Sequence, residues 1–174
     1  MLGSRVLNRV PAKIERVLGI DPGTRKLGWG IVERRNGKLV GIAAGVVSLS
    51  PRDPLATRLA AACESIEALV EDHAPVTLAI EGVFYAKYAA AAIQLAHMRG
   101  VALLIAEQRG LHIAEYAPAL VKRTVAGRGA ADKAQIGRVV AATLGLRAPP
   151  PADASDALAI AITHLSAATF TRLR

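Results

Sequence analysis

RVLGIDPGTRKLGWGIVERRNGKLVGIAAGVVS, residues 16–48, decides the fold class. Its first part, RVLGID (16–21), is a short apolar run closed by the turn pair Pro22–Gly23, which predicts a strand. Two longer runs, KLGWGIVERR (26–35) and KLVGIAAGVVS (38–48), flank Asn36–Gly37. Asn-Gly supplies the positive backbone angles of a two-residue hairpin turn, so these runs predict two antiparallel strands. The rhythm then changes. Leu55, Leu59, Ala62, Ile66 and Leu69 keep helical spacing to about His73, with Asp53 as the expected cap and Pro54 at the first helical position. VTLAIE (76–81) reads as a strand, 88–109 as an alanine-rich helix stopped by Gly110, and LHIAEY (111–116) as a fifth strand. Helical stretches over about 118–125 and 131–144 are divided by Gly127 and Gly129, and Pro149 to Pro151 precede a last helix, 153–168. Three strands followed by alternating helices and strands predict an α/β domain with one mixed five-stranded sheet flanked by helices.

Composition agrees with one domain. The chain has 174 residues, 52% of them hydrophobic, but 35 are alanine and six aromatic, so the core must be packed from small aliphatic side chains. The first 15 residues mix Arg5, Arg9 and Lys13 with Gly and Pro and read as a flexible basic extension. Residues 16–168 form the expected domain and 169–174 a short tail. No run suits a signal peptide or a membrane span, which places the protein in the cytoplasm with no membrane partner. Cys63 is the single cysteine, in an alanine-rich helical pattern, and reads as a small core residue.

Lysine and arginine total 22 against 14 acids, a net charge of +8, which suits a polyanionic partner. The excess is localised. Residues 116–147 carry Lys122, Arg123, Arg128, Lys133, Arg138 and Arg147 against Asp132 alone, whereas 52–81 carry six acids against Arg52 and Arg58. Such a division predicts a basic binding face.

Four acids stand where their neighbours repel charge: Asp21 ends VLGI, Glu81 ends VTLAI, and Asp153 and Asp156 open a helix that continues ALAIAI. Each has a plain alternative. Asp21 could be a turn-former, Glu81 a strand end at solvent, and Asp153 with Asp156 a helix start. Parity joins them. Val17, Gly19 and Asp21 share one face of their strand, and Thr77, Ala79 and Glu81 share one face of theirs. Asp153, Asp156, Ala157 and Ala161 share one helical stripe, narrow enough to approach a sheet face of Gly and Ala. At ~4 Å and an effective dielectric of about 20, each like-charge pair costs about 4 kcal/mol, so either protons or divalent cations must join the cluster. Oxygen donors favour Mg²⁺ or Mn²⁺, and two such ions suit in-line attack on a phosphodiester.

GIDPGT (19–24), AIEGVFYAK (79–87), VKRTVAGRGAADKAQI (121–136) and DASDALAIAITH (153–164) closely resemble, in order, the RuvC family of Holliday-junction resolvases. The resemblance implies a ribonuclease-H-like fold, a homodimer, and Mg²⁺-dependent paired nicking of four-way junction DNA alongside a branch-migration motor complex. It also implies catalytic and metal-binding roles for Asp21, Glu81, Asp153 and Asp156, with Asp21 expected to bridge two ions, a base-stacking role for Phe84, and DNA contacts by Lys122 and Lys133. Gly82 departs from the pattern, since relatives often carry Gln or Glu there. Independently, Phe84, Tyr85 and Tyr88 are half of all aromatics in the chain, a cluster suited to stacking on unpaired bases. Tyr85, Lys87, Arg123 and Arg128 complete the expected DNA-binding set. The 88–109 helix is apolar around most of its circumference, which predicts a partner subunit on one side. Two rival functions remain in view: an actin-like or sugar-kinase nucleotide-binding domain, since IDPGT resembles a phosphate-binding turn, and a non-catalytic branched-DNA binder.

Overall fold

The computed structural model describes residues 15–82, 89–127 and 132–172. Ten elements follow in chain order: β1 (Glu15–Asp21), β2 (Lys26–Arg35), β3 (Lys38–Ser48), α1 (Leu55–His73), β4 (Thr77–Glu81), α2 (Ala89–Gln108), β5 (His112–Tyr116), α3 (Pro118–Ala126), α4 (Lys133–Leu144) and α5 (Ala152–Arg172). The strands make one sheet in the order β3-β2-β1-β4-β5. β1, β2 and β3 pair antiparallel, while β4 and β5 add parallel to β1, giving the mixed sheet that the sequence predicts.

Alternation along the strands divides the core in two. Leu18 and Ile20 of β1, Leu27 and Ile31 of β2, and Leu78 and Ile80 of β4 pack against α1 and α2. Val17, Val32 and Ala79 face the other way, against α3, α4 and α5. On that second face α5 lies almost on the backbone of the sheet. A Cβ built on Gly19 would stand 2.1 Å from the Ala157 carbonyl oxygen, and one on Gly28 would stand 2.1 Å from that of Asp153. Only glycine permits this approach, and it delivers the first turn of α5 beside the carboxyl end of β1. The expected pairing of a Gly/Ala sheet face with the alanine stripe is present, with Ala157 and Ala161 fully buried.

Two local expectations are corrected. Asp53 does not cap α1. Pro54 occupies the cap position with ψ at 150°, outside the helix, so Asp53 stands one residue too far out to reach the first free amides. α5 continues to Arg172, past the expected boundary at 168, so residues 169–172 of the expected tail are helical. α2 is covered on one side by its own chain: Met98, Ala102, Ile105 and Ala106 are buried, whereas Ile93 and Leu104 are each 58% exposed. Cys63 is half-buried against the α1/α2 core. Among the described residues, no helix is long and apolar enough to cross a membrane.

Candidate active site

β1 and β4 run parallel side by side, with Gly19 beside Ala79 and Ile20 beside Ile80, so Asp21 and Glu81 emerge at the same end of the sheet on the same face. α5 crosses that face and adds its first two turns. Asp21, Glu81 and Asp156 line one cavity of about 250 Å³, together with Lys122 from α3 and Lys133 from α4. Val121, Ile136 and Ile160 supply apolar wall, which lowers the local dielectric and strengthens every charge interaction inside. Asp153 does not line the cavity. It stands in the first turn of α5, with Lys26 Nζ 3.9 Å from its carboxylate.

The acids feel one another. Burial first, then the Glu81 and Asp156 carboxylates, push Asp21 up to about 7; Lys133 opposes the rise and Asp153 adds to it. Glu81 is also raised, by burial and then by Asp156, against the pull of Lys122 and Lys133. Lys133 is the first residue of α4, where the positive end of a helix disfavours a cation. It is held there by donating to Asp156 at 3.0 Å, and that bond keeps its ammonium more firmly protonated than usual. The start of α4 is anchored independently by a capping box between Asp132 and Gln135.

A donor set of carboxylate oxygens fits a hard divalent cation. As they stand, no three acidic, histidine or cysteine side chains among the described residues are close enough to enclose one ion. Two of the acids already have lysines beside them: Lys133 lies 3.0 Å from Asp156, and Lys26 lies 3.9 Å from Asp153. Cation binding would therefore require those carboxylates to exchange a lysine for the metal. The raised Asp21 and Glu81 mark where positive charge is missing.

Lys122 is exposed at the cavity rim, and Arg123, its neighbour on α3, is exposed outside the cavity. Phe84, Tyr85, Lys87 and Arg128, with Tyr88, lie outside the described residues. Sequence reasoning missed Lys26, although the signal was present: Asp21 pairs with Gly28 across the hairpin, so Lys26 shares the face of Asp21. It also missed two arginines that brace the site from the α1/α2 side. Arg58 Nη1 donates to the Thr24 carbonyl at 2.8 Å, just past Asp21, and Arg99 Nε lies 3.4 Å from the Glu81 carbonyl. No local pattern reveals these, because each joins residues far apart in sequence. His164 of α5 is half-buried with Nδ1 2.8 Å from the Tyr116 hydroxyl, and His112 lies edge-on to its ring.

Comparison with known proteins bears on the whole arrangement. Residues 17–164 match the family model described as crossover junction endodeoxyribonuclease RuvC. A protein of that name from Sorangium cellulosum is 50% identical over 155 residues, 89% of this chain and 87% of its own length. The Thermus thermophilus RuvC structure superposes with a TM-score of 0.81 at 32% identity, covering 90% of this chain and 96% of that one. A second structure, titled as T. thermophilus RuvC in complex with Holliday junction substrate, also gives 0.81, at 29% identity over 89% and 96% of the two chains. The matched span runs from β1 into α5 and so includes every strand of the sheet and all four acids. On sequence and on fold together, this chain belongs to the RuvC family of crossover junction endodeoxyribonucleases.

Proposed function

We propose that this chain resolves four-way DNA junctions by paired nicks, hydrolysing phosphodiesters at the cavity where Asp21, Glu81 and Asp156 meet Lys122 and Lys133. The observation that supports this reading most directly is the electrostatic imbalance at that cavity. Three carboxylates face it, and Asp21 is pushed up to about 7. Mg²⁺, for which Mn²⁺ can substitute, is the expected cofactor, with two ions per site held by Asp21, Glu81 and Asp156 and with Asp153 as a further ligand. Bound there, the ions would supply the charge that activates water and stabilises the leaving oxygen.

The chain's own residues do the rest. Lys133 keeps Asp156 paired until substrate and cation arrive, and its ammonium is then free to face a phosphate oxygen. Lys122 at the rim presents a second cation to the DNA backbone, with Arg123 beyond it. The wall of Val121, Ile136 and Ile160 limits water and keeps these charges effective. Phe84, Tyr85, Lys87 and Arg128 are proposed DNA contacts, on the sequence argument alone.

The outward face of α2 supports a homodimer. Ile93 and Leu104 are exposed apolar side chains on the side of the helix away from buried Met98 and Ala102, and a two-fold copy would cover them while matching the symmetry of a four-way junction. Action in the cytoplasm beside a branch-migration motor complex completes the proposal.

The test is cleavage of a synthetic four-way junction compared with linear duplex, with and without Mg²⁺. Asp21→Asn and Glu81→Gln should each lower junction nicking by about 10³-fold or more, with metal-free junction affinity within a few-fold of the unaltered protein. Nicking that survives both substitutions would overturn the site.

A further inference from the structure

Glu81 is the last residue of the five-residue β4. The ladder to β1 stops one residue earlier, at Ile20 and Ile80. On the other side Glu81 is paired with Tyr116 of β5, and the Gly82 amide donates to the Tyr116 carbonyl at 2.9 Å. The next residue along from β1 is Pro22, which has no N–H to offer the Glu81 carbonyl, so the β1 ladder leaves that oxygen at its end. Arg99 supplies the missing constraint. It projects from the middle of α2, on the face of the sheet opposite the carboxylates, and its side chain is 13% exposed. Its Nε lies 3.4 Å from the Glu81 carbonyl, and its Nη2 pairs with the carboxylate of Glu115. Glu115 is opposite Ile80 in the β4–β5 register. One guanidinium thus joins the end of β4, the end of β5 and α2.

The bond to the carbonyl is long and weak by itself; the ion pair to Glu115 and the largely buried side chain restrict where the guanidinium can be. Removing it would let the end of β4 drift, and a metal ligand misplaced by a fraction of an ångström loses binding and rate together.

We propose that Arg99 is a positioning residue that sets the backbone of Glu81 for cation binding, with Glu115 as its anchor. The inference rests on Glu81 being a metal ligand.

The experiment measures Mn²⁺ binding to the DNA-free protein by the loss of the free-ion paramagnetic resonance signal. Single-turnover junction nicking and metal-free junction affinity are measured beside it. Arg99→Gln should weaken Mn²⁺ binding about tenfold and slow nicking by at least as much, with junction affinity within about twofold. Arg99→Lys should recover part of both, since an ammonium reaches one partner but not two. Glu115→Gln should give a smaller loss in the same direction. Met98→Ala, which opens the core behind the same turn of α2, calibrates plain destabilisation. If it weakens Mn²⁺ binding as much as Arg99→Gln for the same fall in Tm, Arg99 is only structural and the proposal fails. Glu81→Gln separates the two layers. Unchanged Mn²⁺ binding and nicking in that variant would remove Glu81 as a ligand. A full loss there, with Arg99→Gln, Arg99→Lys and Glu115→Gln all unaltered, would remove Arg99 alone. Should Arg99→Gln fail to fold, the Lys and Glu115 variants decide by the same criteria.

Discussion

Glu33 and Asp21 lie toward opposite ends of the β1–β2 pair and are treated in opposite ways. Glu33 is 2% exposed, yet Arg16 donates to it from the neighbouring strand at 2.7 Å and Arg35 at 2.9 Å. Hydrogen bonds from Arg35 and then Arg16 hold its carboxyl below the usual range despite burial. Asp21 is half-buried and faces Glu81 and Asp156, with Lys133 as the cation that opposes them. One end of the sheet is electrostatically satisfied and the other is left short of positive charge. The difference teaches where to look for function: a fold able to pair a buried carboxylate twice over has not done so where a divalent cation is expected.

The contrast can be broken most strongly by neutralising each acid in turn. Glu33→Gln strips the counter-charge from two arginines and should cost about 3 kcal/mol, because Arg35 can turn to water while Arg16 is less free to. For a chain of this length that is a fall in Tm of roughly 6–12 °C, read by thermal unfolding, with junction nicking per folded molecule unchanged. The loss should be full at neutral pH. It should shrink in acid, since a lowered carboxyl stabilises the fold above its unfolded value and ceases to as pH falls through the folded one.

Gly19→Ala tests whether the acid cluster depends on the close seat of α5. The added carbon meets a backbone oxygen, which cannot turn aside, so a loss of about 2–3 kcal/mol is expected together with reduced nicking as α5 is displaced. Equal stability would mean that α5 is not seated as described.

Asp21→Asn should move the other way from Glu33→Gln. Forcing ionisation on a carboxyl pushed up to about 7 costs the fold about 4 kcal/mol, and roughly half of that once solvent reaching a half-buried group is allowed for. The folded protein holds the extra proton between the ordinary carboxylate range and about 7, so its stability falls as pH rises through that window. In metal-free buffer at pH 8 the variant should be the more stable protein by about 2 kcal/mol. The gain should vanish near pH 4 and be reversed by Mg²⁺, which only the unaltered site can use. Denaturant titrations at the two pH values check this.

The smallest effect belongs to the rim. Lys122→Ala should reduce the slope of log Kd for junction DNA against log salt by about 1, as expected for one lost phosphate contact. An unchanged slope would place Lys122 inside the chemistry only.

Much of this is legible in the sequence. Period-two alternation placed Leu18 and Ile20 opposite Val17, Gly19 and Asp21, and Asn36–Gly37 announced the hairpin, because backbone sterics act locally and leave their mark in adjacent residues. The helical stripe of Ala157 and Ala161 and the glycine it rests on were both visible as small residues in register with acids. The departures arose where one residue shifts a phase. Between Ile31 and Val32 the β2–β3 register slips, so that Leu39 and Gly41 face α4 while Ala43 and Val47 face α1 and α2. Ile42 is the residue left over, 36% exposed, and alternation within KLVGIAAGVVS alone carries no sign of it.

By itself, then, the sequence determined the order of strands and helices, the shared strand faces of Asp21 with Gly19 and of Glu81 with Ala79, and the alanine stripe of α5, since each follows from residues a few positions apart. Tertiary structure decided which charges meet. It brought Arg16 to Glu33, left Asp153 outside the cavity beside Lys26, paired Asp156 with Lys133, and set Arg99 behind Glu81. Those outcomes depend on distances between segments 17 to 127 residues apart in the chain, and Coulomb energy follows distance in space, to which local periodicity is blind.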